Sequence, residues 1–205
     1  LEGYWRLDGN SDDAAGTAHA TPTGITYAAG KLSSGAVFAG TTSKIDTPVS
    51  SAFGDFTACA WFICNTTINY QRVLDKAYDV GFWLGRNASN ATQWGGGVCE
   101  TSGPYGIFAE FNPNGNWNHI ISIRRGSTHE LWANGVLANS NTVTTNPLST
   151  HRLAIGAWAQ NHGGANPAQY FQAGTIDEVG IWSRALSVEE IANLYDGGDG
   201  LSYPF

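Results

Sequence analysis

Two stretches of this 205-residue chain gather the side-chain types that grip sugars. One runs from Arg86 to Tyr105 and carries Asn87, Asn90, Gln93, Trp94, Glu100 and Tyr105 among glycines. The other runs from Trp158 to Tyr170 and carries Gln160, Asn161, His162, Asn166 and Gln169. A sugar offers apolar C–H faces to an aromatic ring and hydroxyls to amides, carboxylates and imidazoles. Such residues belong on loops that a rigid scaffold positions. The expected ligand-binding set is Trp94, Tyr105, Trp158, Asn161 and His162. The blander role for Trp94 and Trp158 is packing or contact between protomers, where aromatics are also enriched.

Acid–base and nucleophilic chemistry finds less support. His119, His129, His151 and His162 are scattered, and no Gln-x-His or Arg-x-Glu-x-Arg pattern accompanies them. No Gly-x-Ser-x-Gly nucleophile turn occurs. Asp177 and Glu178 adjoin on a strand-like segment, so alternation sends them to opposite faces and they cannot jointly flank a glycosidic bond. Cys59, Cys64 and Cys99 form no Cys-x-x-Cys pair. Cys59 and Cys64 have opposite parity in one strand and are poor partners for each other. They read as small buried hydrophobes, with a bridge from Cys99 to Cys59 or Cys64 as the alternative. Sequons stand at Asn65, Asn87 and Asn90 and matter only in a secreted eukaryotic protein.

The elements that must hold these residues are short strands. Charged residues are 13% of the chain, and glycine, asparagine, serine and threonine abound, the composition of a loop-rich all-β domain. Apolar runs recur between Gly, Pro, Asn and Ser clusters. They give strands at Gly3 to Leu7, Gly35 to Phe38, Lys44 to Asp46, Phe56 to Cys64, Arg72 to Lys76 and Gly81 to Gly85. Further strands follow at Trp94 to Cys99, Gly106 to Phe111, His119 to Arg124, Glu130 to Ala133, Arg152 to Ile155 and Gly174 to Trp182. Asn134-Gly135 is a tight hairpin turn. Ser187 caps one late helix, with Glu190 completing a capping box and Ile191 and Leu194 forming its apolar stripe. Gly197-Gly198 ends it. The length suits one domain over 1–205.

Net charge is −7 with no basic run, which argues against nucleic acid. No apolar run approaches the ~20 residues a membrane span requires. No signal peptide is legible, and the chain begins at Leu1 with no Met, as expected of a processed or trimmed product.

Six motifs stand in one order: Gly3-Tyr-Trp-Arg-Leu-Asp-Gly9, Gly30 to Gly40, Phe56-Thr-Ala-Cys-Ala-Trp61, Trp117-Asn-His119 before Leu131-Trp-Ala-Asn-Gly135, Leu153-Ala-Ile-Gly156, and Gly174-Thr-Ile-Asp-Glu-Val179. In that order the chain resembles laminin-G-like jelly rolls of the concanavalin A-like lectin/glucanase superfamily. The resemblance implies an all-β fold of two curved antiparallel sheets packed face to face, with one short C-terminal helix. It places Trp5, Trp61, Trp117, Trp132 and Trp182 in motif strands and hence in the core. It also implies one structural Ca²⁺, with Asp177 and Asp8 as ligands and carbonyls near Gly40 as companions. The competing role for Asp177 is to tie the N-terminal segment to the sheet by hydrogen bonds. Catalytic relatives carry a Glu-x-Asp-x-x-Glu strand, which this chain lacks.

The expectation is a non-catalytic recognition module, extracellular, on a cell surface or on a virion, that binds a glycan or polysaccharide. The alternative is a structural or adhesive surface module with virion, appendage or envelope partners. The tail Asp199 to Phe205 would then pack on its own domain or on a neighbour.

Overall fold

The computed structural model describes residues 1–67, 70–77, 80–87, 90, 92–100, 103–110, 113–144, 149–158 and 169–205; for 99, 100 and 103–105 it describes the backbone alone. Two antiparallel sheets form the sandwich. The eight-stranded sheet runs β13 (Val136–Thr142), β12 (Thr128–Ala133), β11 (Asn118–Arg125), β6 (Phe56–Cys64), β15 (Ala173–Trp182), β4 (Ser34–Ala39) and β3 (Thr26–Ala29), with β1 (Gly3–Trp5) also on β15. The seven-stranded sheet runs β10 (Gly103–Glu110), β9 (Gln93–Glu100), β8 (Phe82–Arg86), β7 (Arg72–Lys76), β14 (Ala154–Ile155), β5 (Lys44–Asp46) and β2 (Thr21–Thr23). The short polar strands β2 and β3 lack an apolar signature, which is why the sequence pattern passes over them.

The main core lies between the sheets. It takes Phe56, Ala58, Ala60, Phe62 and Cys64 from β6, and Phe82, Leu84, Trp94, Val98 and Ile107 from the other sheet. A second apolar layer covers the outer face of the eight-stranded sheet. Tyr4, Cys59, Ile121, Ile123, Trp132 and Trp182 meet Leu186, Ile191 and Leu194 there. Cys59 and Cys64 thus face opposite ways, as parity requires, and both are free thiols. The helix α1 (Val188–Tyr195) supplies that cover, and its capping box forms as read: Ser187 Oγ accepts from Glu190 N–H, and Glu190 Oε2 accepts from Ser187 N–H. The helix ends on Asp196 in the left-handed region, one residue before the expected glycines. Tyr203 packs on this layer and Tyr4 Oη donates to Leu201 O, so the tail docks on its own domain.

β15 is buried at all ten positions because it has a covered layer on each face. Its alternation breaks. A bulge between Asp177 and Gly180, with Glu178 at φ 49°, carries Ile176, Val179 and Ile181 all into the core. The extra residue shifts side-chain parity by one. This corrects the expectation that Asp177 and Glu178 face opposite ways. Asp177 pairs with Trp61 across the outer face, and Glu178 lies near Tyr4 and Cys59 of the same layer. Asn134 and Gly135 both have positive φ and join β12 to β13, as that dipeptide demands.

Candidate functional site

On the outer face of the seven-stranded sheet, glycines make room for flat rings. Leu74 and Leu84 point into the core, so their neighbours Asp75 and Trp83 point out. Trp83 pairs with Gly97, where a Cβ would come within 2.2 Å of its indole nitrogen. A Cβ on Gly106 would lie 2.9 Å from both Trp83 and Phe108, and one on Gly95 2.8 Å from Phe108. The glycine run of β9 therefore serves this face by absence of side chain.

Arg72 lies over Trp83, its guanidinium carbon 4.3 Å from the ring centre, and reaches Asp75 at 3.3 Å. Beyond it stand three roughly parallel rings. Tyr70 and Tyr170 stack at 5.0 Å, and Tyr170 and Trp158 at 5.2 Å. Arg72 N–H donates to Tyr170 O, and Trp158 N–H donates to Gln169 O, which fixes the two ring-bearing segments beside β7 and β14. Tyr70 and Tyr170 remain 42% and 37% exposed, and Trp158 is half-buried. Both tyrosines adopt positive φ, 64° and 54°. A bulky side chain in the left-handed region is a genuine outlier, and such strain gathers at ligand clamps.

The expected ligand residues fare differently. Trp158 belongs to this ring cluster. Trp94 does not: it is fully buried in the main core against Phe62 at 4.6 Å, with Arg86 over its face at 4.7 Å. A ring enclosed between two sheets cannot meet a sugar, so Trp94 is corrected to a packing residue. Its inward register on β9, beside Gly95 and Gly97 facing out, explains the error. Tyr105 is described by backbone only, on β10, and Asn161 and His162 lie outside the described residues. Of the five tryptophans expected in the core, Trp5, Trp61, Trp132 and Trp182 are buried and Trp117 is half-buried. Tyr70, Arg72 and Trp83 were missed. The signal available was Phe82-Trp83-Leu84 facing a triple glycine, an aromatic strand with empty space opposite.

Asp8 and Asp177 act together, but on amides. Asp177 Oδ2 accepts from Lys31 and Leu32 N–H at 2.8 and 3.0 Å, and its Oδ1 accepts from Glu178 N–H at 3.0 Å. Asp8 Oδ1 accepts from Ser34 N–H at 3.0 Å. Both carboxylates thus pin the 31–34 loop. Amide hydrogens engage both oxygens of Asp177 and Oδ1 of Asp8, which is the tethering role weighed against Ca²⁺ for Asp177. Among the described residues, no group of three or more His, Cys, Asp or Glu is placed to hold a metal. Burial pushes Asp177 up to about 8 and Glu178 up to about 7. The three amide bonds favour the anion on Asp177. Glu178 has neither oxygen in hydrogen-bonding geometry, although the Tyr4 and Ser202 hydroxyls lie near enough to oppose its rise. Glu178 is therefore the better proton carrier of the pair.

Acid–base groups elsewhere are placed for packing. His129 is fully buried, bonded to Ser122 Oγ at 2.8 Å, and desolvation lowers it to about 4. His119 stacks on Trp61 at 4.9 Å and burial lowers it to about 3. On the outer face of the smaller sheet, Asp75 and Asp46 each face a cation, Arg72 and Lys44. A glycosidase acid needs the reverse, an environment that keeps a carboxyl protonated.

The sandwich, the order of its strands and the aromatic face define a lectin-like β-sandwich. The family model described as the concanavalin A-like lectin/glucanases superfamily, of laminin G type, matches residues 39–192, and the chain belongs to that superfamily. No curated protein sequence matches the chain. Among solved structures, it is similar to domain 4 of AbnA, an extracellular arabinanase of Geobacillus stearothermophilus solved with arabinotriose. That likeness has a TM-score of 0.74 at 21% identity and covers 93% of this chain and 96% of that one. It is also similar to the binding domain of botulinum neurotoxin DC, solved with SialylT, at TM-score 0.70 and 11% identity over 96% of this chain and 50% of that one. A third likeness is to the binding domain of Paraclostridial Mosquitocidal Protein 1, at TM-score 0.69 and 15% identity over 90% of this chain and 48% of that one. The chain spans about half the length of these toxin binding domains. All three are likenesses of fold. No helix among the described residues is long and apolar enough to cross a membrane.

Proposed function

We propose that this domain is a non-catalytic carbohydrate-binding module of an extracellular or surface protein, and that it grips its glycan at Tyr70, Tyr170 and Trp158. The carrying observation is that two neighbouring tyrosines, both at positive φ, stack on each other and stay exposed. Folding alone gains little from strained and half-solvated rings, whereas a ligand that stacks on them recovers the cost. Arg72, buried beneath with Asp75 and Trp83, lies 5.9 Å from the Tyr170 ring centre and props the ring stack from below rather than meeting the ligand. The neighbours solved with arabinotriose and with SialylT agree with this reading.

The test is a glycan array with a polysaccharide pull-down, including arabinan and sialylated glycans, run on the wild-type domain and on Trp158→Ala. Saturable binding by the wild type and loss in the variant is the expected pattern. An absence of binding to every glycan would favour a structural or adhesive surface module instead. Release of reducing ends or unsaturated products would refute the non-catalytic assignment.

A further inference from the structure

Two buried glutamines adjoin the ring stack in sequence, and the fold treats them differently. Gln71 follows Tyr70 and is fully buried, with both ends of its amide in use: Oε1 accepts from Cys64 Sγ–H at 3.0 Å, and Nε2 donates to Thr66 Oγ1. Gln172 follows Tyr170 by two residues and is also fully buried, yet neither its Oε1 nor its Nε2 has a hydrogen-bond partner. Building on the glycan site above, we propose that Gln172 is a ligand-binding residue of that site and that its amide hydrogen-bonds a hydroxyl of the bound sugar.

The state of the amide is the first argument. A glutamine side chain offers two donors and an acceptor, and burying them unpaired costs free energy. Native folds satisfy nearly all such groups, so an exception calls for a use. An apolar side chain of similar size would fill the same space without that cost. Donor and acceptor on one amide match a sugar hydroxyl, which itself both donates and accepts.

Backbone geometry is the second argument. Trp158 N–H donates to Gln169 O, and Gln172 N–H donates to Gly156 O. Ala157 alone therefore stands opposite Tyr170 and Phe171, a β-bulge whose first residue is Tyr170 at φ 54°. Glycine normally takes that left-handed position, and bulges beside binding sites re-aim side chains. Within two residues the chain passes from Tyr170, 37% exposed, to Gln172, fully buried. Gly174, two residues further on, pairs with Phe38 and Cys64, both core residues, so alternation sets Gln172 at the same edge of the core. Returning Tyr170 to negative φ relieves its strain, moves its ring and opens a way to the amide.

The experiment compares the wild-type domain with Gln172→Leu. Leucine fills a similar volume with no polar atom, so the urea midpoint should rise. Retention in affinity gels containing arabinan, or another array polysaccharide that holds the wild type, should fall about three- to tenfold, the value of one hydrogen bond to a hydroxyl. NMR follows the Gln172 side-chain amide of the wild type as arabinotriose, or the oligosaccharide of that other polysaccharide, is added. Its resonances should shift and gain protection from exchange. Full retention of Gln172→Leu, or amide resonances that stay still while the Trp158 indole responds, would overturn this proposal and leave the glycan site standing. A lowered urea midpoint in Gln172→Leu would show the amide to be paired in the free domain and would overturn it too. A wild type that binds no glycan would overturn both this proposal and the site on which it rests.

Discussion

Tyr170→Gly separates a ring kept for a ligand from a ring kept for the fold. Tyr170 sits at φ 54°, which costs a non-glycine residue about 1 kcal/mol or more. Glycine removes that cost. The variant also loses stacking on Tyr70 and Trp158, each worth about 0.5–1.5 kcal/mol when fully packed. The ring is 37% exposed, so the lower part of that range applies. Gain and loss nearly cancel, and the variant should unfold within about 1 kcal/mol of wild type in urea. Tyr170→Ala keeps the strain and loses the same ring, so it should be less stable than Tyr170→Gly by about 1 kcal/mol. Glycan affinity should fall alike in both, by about fivefold or more for one lost ring contact of roughly 1 kcal/mol. Affinity electrophoresis in the polysaccharide that the wild type retains provides the readout. A glycine variant destabilised by more than about 3 kcal/mol, with unchanged retention, would show that the ring serves packing and would refute the reasoning.

Gly97→Ala should push Trp83 off the sheet, because the new methyl meets its indole nitrogen at 2.2 Å; overpacking of about 1–3 kcal/mol and weaker glycan retention are expected, and unchanged stability would contradict the close packing. Glu178 should take away stability as pH rises from 5 to 8, while His119 and His129, lowered by burial to about 3 and about 4, add stability up to about 6.5. The Glu178 part is therefore read as the difference between wild type and variant. Glu178, raised by burial from 4.5 to about 7, holds a proton in the folded state that the unfolded chain releases. That contribution is fully present below about 4.5, is lost through about 7, and amounts to about 3 kcal/mol. Glu178→Gln should flatten this part of the profile in denaturation series at each pH, and an unaltered slope would assign the effect to other groups. Chelation with EDTA should leave the melting temperature unchanged, because Asp177 already accepts three amide bonds. A drop of several degrees, reversed by Ca²⁺, would place a cation beside it.

The fold was legible where one residue type has one use. Asn134-Gly135 needs positive φ twice and forms the turn it promises. Ser187 with Glu190 satisfies amide donors that would otherwise be orphaned, and the helix starts there. The site was less legible because exposure depends on parity, and parity depends on bulges that composition does not reveal. One inserted residue in β15 brought Glu178 to the same side as Asp177. On β9, Trp94 looked like a loop ring among glycines; its register turned it inward and left the glycines facing out. Tyr70 and Tyr170 are separated by a hundred positions in sequence, and only the pairing of β7 with β14 brings them together. Their strain has no sequence signature at all.

The two outer faces are built differently. The eight-stranded sheet is sealed: α1 and the tail bury Cys59, Ile121, Ile123 and Trp182, leaving a bounded pocket beside Arg184 and Asp196. On the seven-stranded sheet, Tyr70 and Tyr170 stay exposed while Arg72, Asp75 and Trp83 beneath them are buried. Glycines at 95, 97 and 106 let Trp83 and Phe108 lie flat, Arg72 caps Trp83, and strained tyrosines rise at the end of β7. Filling those glycines would leave the inter-sheet core alone, but a Cβ would strike the backbone oxygen of Ile107 at Gly95 and the rings of Trp83 and Phe108 at Gly97 and Gly106. Their small size lets Trp83 and Phe108 pack over the strands, and through Trp83 it seats Arg72 beneath the tyrosine stack on which the proposed glycan site rests.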